Sequence, residues 1–244
     1  MSTDTAPRRA IMLRVEGLHA YYGRAHILAD VALQASAGDV LALLGRNGAG
    51  KSTTLKSIMG LLRPAEGTVT LDGARIDGIA PYRIARLGLG FVPEDRRIFT
   101  DLSVMENLEV GRQKPRAGAP TWTPDKLFEL FPNLGRMKDR PGGRMSGGEQ
   151  QMLTIARTLM GNPKCVLLDE PSEGLAPIIV EQMAQAIRVM QGEGLCVILS
   201  EQNLHFSSLV ADHAVIVEKG RVRFAGTMQE LRADPAVREQ YLSV

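Results

Sequence analysis

The stretch Gly45-Arg46-Asn47-Gly48-Ala49-Gly50-Lys51-Ser52 constrains this chain more than any other. It closes a short apolar run, VLALLG at 40–45, and opens a segment with a helical pattern from about Lys51 to Leu61. An uninterrupted apolar run of that length suits a parallel strand buried on both faces. The stretch fits G-x-x-x-x-G-K-[ST], and each residue type has a physical reason. Glycines let the backbone fold into a concave nest with its N–H groups turned inward. The helix that starts here aims the positive end of its dipole at the same point. Lys51 adds a mobile point charge for the β- and γ-phosphates of a nucleotide. The Ser52 hydroxyl suits Mg²⁺, and Thr53 follows to hold the α-phosphate.

A phosphate loop of this kind needs a carboxylate from a second strand. Cys165-Val166-Leu167-Leu168-Asp169-Glu170 offers apolar residues followed by two acids. Such a strand delivers its carboxylates to the C-terminal edge of a sheet, where ligands bind in open α/β folds. Neighbouring side chains in a regular strand point to opposite faces. Asp169 and Glu170 can therefore serve one site only if the chain is leaving the strand, and Pro171 is consistent with that exit. Asp169 then orients Mg²⁺ through a water, and Glu170 accepts a proton from the attacking water.

The rest of the chain has room for one large α/β domain. Residues 1–10 read as a disordered tail. IMLRVEGL and ILADVALQA, between Ile11 and Ala37, alternate as strands do. TVTLDGARI reads as a hairpin with its turn at Asp72-Gly73. A different texture begins at residue 93. It holds a capping box from Ser103 to Glu106, a Pro/Gly-rich loop PRAGAPTWTP, and a helix opened by Thr123-Pro124. Helix and strand then alternate through GGEQQMLTIARTLM, CVLLD, PIIVEQMAQAIRVM and LCVILS, which predicts a parallel sheet with crossover helices. HAVIVEKGRVRFAGT reads as two strands around Lys219-Gly220, and two short helices finish the chain.

Composition excludes several function classes. The formal net charge is +2, and neither Arg8-Arg9 nor Arg96-Arg97 amounts to a basic stripe, so nucleic acid is not an expected partner. Cys165 and Cys196 sit inside apolar runs with no metal or disulfide spacing, as suits a reducing cytosol. The N-terminal stretch lacks the apolar core of a secretory signal. No apolar run approaches the roughly 20 residues of a membrane span. A membrane role must come through a partner.

Met145-Ser146-Gly147-Gly148-Glu149-Gln150-Gln151 resembles the signature sequence of ABC ATPases, usually written LSGGQ. The resemblance runs from about Ile11 to Val244. It implies a single domain over 11–244: a P-loop cassette with a mainly parallel sheet core, an N-terminal antiparallel β subdomain, and a helical subdomain at about 93–160. In the family's dimer, Ser146, Gly147, Gly148 and Glu149 face the γ-phosphate held by the other subunit's P-loop. Tyr22 stands where the family places an adenine-stacking aromatic. Tyr21 is its neighbour, and by strand alternation only one of them faces the base. Ser172-Glu173-Gly174-Leu175-Ala176-Pro177 occupies the place of the D-loop.

Two positions depart from the usual pattern. Glu94 stands where the family has a Gln between its lobes, which makes it a candidate Mg²⁺ ligand beside Ser52 and Asp169. Gln202 stands where the family has a switch His, which makes it a candidate catalytic residue beside Glu170 and Lys51. His205 is expected to be structural, on the next helix. These departures, with EGLAP and the ending DPAVREQYLSV, resemble the Liv-type ATPases of branched-chain amino acid importers. Urea and other amide importers share much of that look, and a stand-alone, non-transport ABC ATPase is a further alternative. A P-loop kinase or GTPase lacks the signature, and the chain has no N-K-x-D for guanine. The resemblance implies ATP and Mg²⁺, and a second ATPase subunit of the same or another kind. It also implies two membrane permeases, a separate solute-binding protein, and a peripheral place on the cytoplasmic face of the inner membrane.

Overall fold

The computed structural model describes residues 10–242, so the expected tail lies, apart from Ala10, outside the described residues. Two sheets organise the chain. The first is antiparallel, in the order β2-β1-β4-β5, from β1 (Ile11–Tyr22), β2 (Ala25–Ser36), β4 (Glu66–Leu71) and β5 (Ala74–Arg75). The apolar alternation has its cause here: Leu13, Val15, Leu18 and Ala20 of β1 are buried. The register shifts between Val15 and Leu18, around Gly17 in the left-handed region at φ +59°. The β4–β5 turn falls at Asp72-Gly73, both with positive φ.

The second sheet has the order β10-β9-β3-β8-β7-β6. Its strands are β3 (Val40–Leu44), β6 (Leu89–Val92), β7 (Cys165–Asp169), β8 (Cys196–Glu201), β9 (His213–Glu218) and β10 (Arg221–Thr227). All pairs are parallel except β9–β10. Every residue of β3, β7 and β8 is buried, because both faces are covered. Leu41, Leu43, Leu167 and Ile198 pack toward the antiparallel sheet and α1 (Lys51–Ile58). Ala42, Leu44, Leu168 and Leu199 pack with α6 (Gly147–Leu159) and α7 (Pro177–Gly192). Cys165 and Cys196 are register partners across β7 and β8, both buried free thiols.

α1 stops at Ile58, short of the Leu61 that the pattern predicts. Gly60 adopts φ +72°, and the Leu61 N–H bonds back to the Lys56 carbonyl, so a left-handed cap ends the helix. α2 (Pro81–Leu87) precedes β6. Between β6 and β7 lie α3 (Val104–Gly111), α4 (Pro124–Leu130), α5 (Pro132–Arg136), a 3-10 turn at Gly142–Arg144, and α6. The Ser103–Glu106 capping box forms on α3, and Thr123 caps α4. α8 (Leu204–Val210) joins β8 to β9, and α9 (Met228–Ala233) and α10 (Pro235–Leu242) end the described chain. No helix among the described residues is long and apolar enough to cross a membrane.

The register decides what meets at the sheet edge. Leu44 pairs with Glu201, Asp169 with Ser200, and Val92 with Leu168. The segments leaving β3, β6, β7 and β8 therefore emerge side by side.

Candidate active site

At that edge lies a cavity of about 380 Å³. Its walls are Tyr22, Ile27, Asn47, Gly48, Gly50, Lys51, Ser52, Thr53, Glu94, Glu170 and Glu173. The loop after β3 turns inward because its glycines permit it. Gly50 adopts φ +113°, and a Cβ there would stand 2.8 Å from Leu28 Cδ2; at Gly45, φ +153°, a Cβ would collide with the Val217 carbonyl oxygen. α1 starts on Gly50 with no side-chain cap and no acid in its first turn. Its leading N–H groups are thus left for an anion to satisfy.

Lys51 is only 4% exposed. Its ammonium donates to the carbonyls of Gly45 (2.8 Å) and Arg46 (3.3 Å) and pairs with Glu170 Oε1 at 3.0 Å. An ammonium has three donors, and each has an acceptor here. Asp169 Oδ1 accepts from Ser52 Oγ (2.9 Å) and from Ser200 Oγ (2.6 Å). Glu170 has left the strand by a left-handed turn, φ +46°. Its N–H is held by the carbonyl and the hydroxyl oxygen of Ser200, each at 3.1 Å. That conformation costs a non-glycine residue about 1–2 kcal/mol, and such strain gathers at functional sites. It lets two consecutive carboxylates serve one site.

Gln202 Nε2 donates to Glu170 Oε2 at 2.9 Å. Burial pushes the Glu170 carboxyl up. Hydrogen bonds from Gln202 and Lys51, with the charge of the ammonium, outweigh that and hold it below the usual carboxylate range. Glu173 moves the other way: a shared hydrogen bond with Glu170, its own burial and the nearby charges raise it. Of this pair, Glu170 is therefore the stronger acid and gives up its proton first.

The other sequence-predicted residues fall into distinct places. Gly45, Arg46 and Asn47 line a neighbouring cleft of about 280 Å³ with Gln202 and Leu242, and Ala49 is buried beneath the loop. Tyr22 is on the main cavity's wall, whereas Tyr21 stacks on His26, ring centroids 4.3 Å apart. His205 is exposed on α8. Ser146, Gly147, Gly148 and Glu149 line neither space. They form the start of α6, where Ser146 and Glu149 close a capping box. Sequence reasoning gave no role to Ser200, Glu173 or Glu201. Strand alternation offered one hint for Ser200, two residues before Gln202, but only the pairing of β7 with β8 puts it beside Asp169.

A hard cation such as Mg²⁺ wants oxygen ligands and keeps several waters and phosphate oxygens. Ser52 and Glu94 line the cavity, and Ser52 Oγ is bonded to Oδ1 of Asp169, which is buried and does not itself line it; these oxygens fit that requirement. Among the described residues no three His, Cys, Asp or Glu side chains form a metal cluster.

The family model described as ABC transporter matches residues 28–173. The high-affinity branched-chain amino acid transport ATP-binding protein BraG of Pseudomonas aeruginosa is 41% identical over 231 residues, covering 95% of this chain and 99% of that protein. The lipopolysaccharide export system ATP-binding protein LptB of Acidithiobacillus ferridurans is 34% identical, covering 95% of this chain and 96% of that one. Among solved structures, the ADP conformation of MJ1267, an ATP-binding cassette of an ABC transporter, superposes with a TM-score of 0.79 at 27% identity. It covers 94% of this chain and 97% of that one.

Proposed function

The chain belongs to the ABC transporter family, and on that premise we propose that it is the ATP-hydrolysing subunit of an importer for branched-chain amino acids. It is an ATP-binding cassette, and such subunits work with membrane permeases. The observation that carries the reading at the site is the linked set Lys51–Glu170–Gln202 and Ser52–Asp169, of which Lys51, Ser52 and Glu170 line one cavity. The likeness to BraG supports the solute class.

In this reading the nest from Gly45 to Thr53 holds the phosphates and Tyr22 stacks on the base. Ser52 and Asp169, with Glu94 nearby, would hold Mg²⁺, which would supply positive charge against the phosphates. Lys51 exchanges its pairing with Glu170 for the phosphates, which frees Glu170 Oε1 to accept the proton of the attacking water. Gln202 keeps the other oxygen in place and donates toward the γ-phosphate. A second cassette, this chain again or another, supplies Ser146, Gly148 and their neighbours across the interface. This chain's own α6 start does the same for the partner.

Permease docking falls to the groove of about 570 Å³ between α2, β6 and α3, in part walled by Leu61, Tyr82, Phe91, Phe99 and Val110. Leu61, Tyr82, Phe99 and Val110 are exposed, and an apolar exposed patch of this kind marks an interaction site. The helical subdomain, about residues 93–160, forms one wall. Docking there puts the chain at the cytoplasmic face of the membrane without a span of its own.

The test is reconstitution with permeases and a solute-binding protein of the branched-chain amino acid class. Leucine, isoleucine or valine should raise ATP turnover and be taken up. Turnover stimulated instead by urea or an amide, or by a lipid substrate, would reassign the solute and keep the ATPase.

A further inference from the structure

Glu201 ends β8 and is one of the few charged residues in the interior, 2% exposed. Its two oxygens accept from two backbone donors. Oε1 takes the N–H of Ser172 at 3.0 Å, and Oε2 takes that of Asn203 at 3.4 Å. Ser172 lies just past Glu170 and Pro171 on the segment leaving β7. Asn203 follows Gln202 and caps α8, its Oδ1 accepting from the Phe206 N–H at 3.1 Å. Gln202 in turn donates to Glu170 Oε2 at 2.9 Å.

These contacts close a ring. It runs from Glu170 through Pro171 to Ser172, crosses to the Glu201 carboxylate, and returns through Gln202 to Glu170. Pro171 has a fixed φ and no N–H, so it stiffens one side. A carboxylate is the side chain that accepts on two oxygens at once and donates nothing. Burial pushes the Glu201 carboxyl up despite its N–H partners. Burying an acid costs stability, which its hydrogen bonds offset only in part.

We propose that Glu201 is a positioning residue for hydrolysis: it clasps the segment after β7 to the turn after β8, so that Gln202 holds Glu170 aimed into the cavity. The proposal rests on the reading of Glu170 as proton acceptor, and adds a residue to which that reading gives no part.

The experiment measures ATP turnover and nucleotide affinity of the full chain in its transporter complex. Glu201→Ala and Glu201→Gln are compared, each alone and combined with Gln202→Ala, with folding checked by thermal unfolding. Glutamine has nearly the same shape. Its amide oxygen still accepts from Ser172, while its NH₂ cannot accept from Asn203. The neutral amide avoids the burial cost that disfavours the charge at Glu201, so this variant is expected to fold. Expected is a kcat loss of up to about tenfold for Glu201→Ala, no larger than that of Gln202→Ala, and about two- to fivefold for Glu201→Gln, with KM for ATP within about twofold. Since both residues act through one carboxylate, each double variant should be no slower than its slower single parent. A folded Glu201→Gln with wild-type kcat, or losses that multiply with Gln202→Ala, would overturn the proposal. If Glu201→Ala does not fold, the glutamine pair decides. A wild-type complex without ATP turnover would remove the hydrolytic reading itself, a result distinct from turnover that is indifferent to Glu201.

Discussion

Helices α1 and α6 both start on glycine-containing turns, yet α1 leaves its first turn open while α6 closes its own. α1 has no side-chain cap and no acid in its first turn. Lys51, its first residue, is buried with its charge held by Glu170. α6 begins with Ser146, whose Oγ accepts from the Glu149 N–H at 3.4 Å, while Glu149 Oε2 accepts from the Ser146 N–H at 2.7 Å. An uncapped helix start leaves N–H groups for water or a ligand to satisfy, whereas a capped one has part of that need met by its own side chains. The difference fits a site whose first half belongs to this chain and whose second half is supplied by a partner.

The largest effect should fall on the open end. Glu170→Gln keeps size and hydrogen bonding but cannot take the proton. Turnover should drop about 10²- to 10⁴-fold while ATP stays bound and the two subunits stay closed on it. Steady-state turnover near wild type would refute the assigned role.

Next is Lys51→Ala. The loss of charge-assisted hydrogen bonds should weaken ATP binding about 10- to 100-fold, read by fluorescent-nucleotide titration. The ion pair adds a pH signature. Glu170 is held below its ordinary value of 4.5. Its stabilising contribution is therefore present above that value and lost as pH falls through the lower, folded one. The gap in Tm between wild type and Lys51→Ala should narrow on acidification below about pH 4. A gap that widens would contradict the pairing.

Gln202→Ala should slow hydrolysis up to roughly tenfold, the worth of one neutral hydrogen bond. The rival is His205, exposed on α8. Loss of activity in His205→Ala, with Gln202→Ala unaffected, would transfer the role.

The closed end should respond least in the isolated chain. Ser146→Ala removes a cap worth about 0.5–2 kcal/mol, a Tm drop of about 2–4 °C per kcal/mol at this size. ATP affinity of the lone chain should not change, because Ser146 does not line its cavity. In the complex, turnover should fall. An altered affinity in the lone chain would break the contrast between the two helix starts.

What sequence alone determined here is local. The glycines and Lys51 of the phosphate loop, the apolar run feeding Asp169 and Glu170, the capping box at Ser103 and the Thr123 cap on α4 all depend on residues a few positions apart, where covalent geometry carries the information. The helix-versus-strand alternation followed from the same short-range periods. It ran α1 too far, because Gly60 adopts a left-handed cap inside an apolar pattern, and it left α2 and β6 unread. Only tertiary structure decided that Tyr22 rather than Tyr21 reaches the cavity, because a shifting register and the stack on His26 turn the strand's end. Only tertiary structure paired Lys51 with Glu170, Ser200 with Asp169, and Glu201 with Ser172. Those contacts join residues about 30 to 120 positions apart, and they exist because parallel strands β3, β8 and β7 lie side by side in one register. Strand order and register are set by how both faces of the sheet are packed, a property of the whole core that no short window of sequence contains.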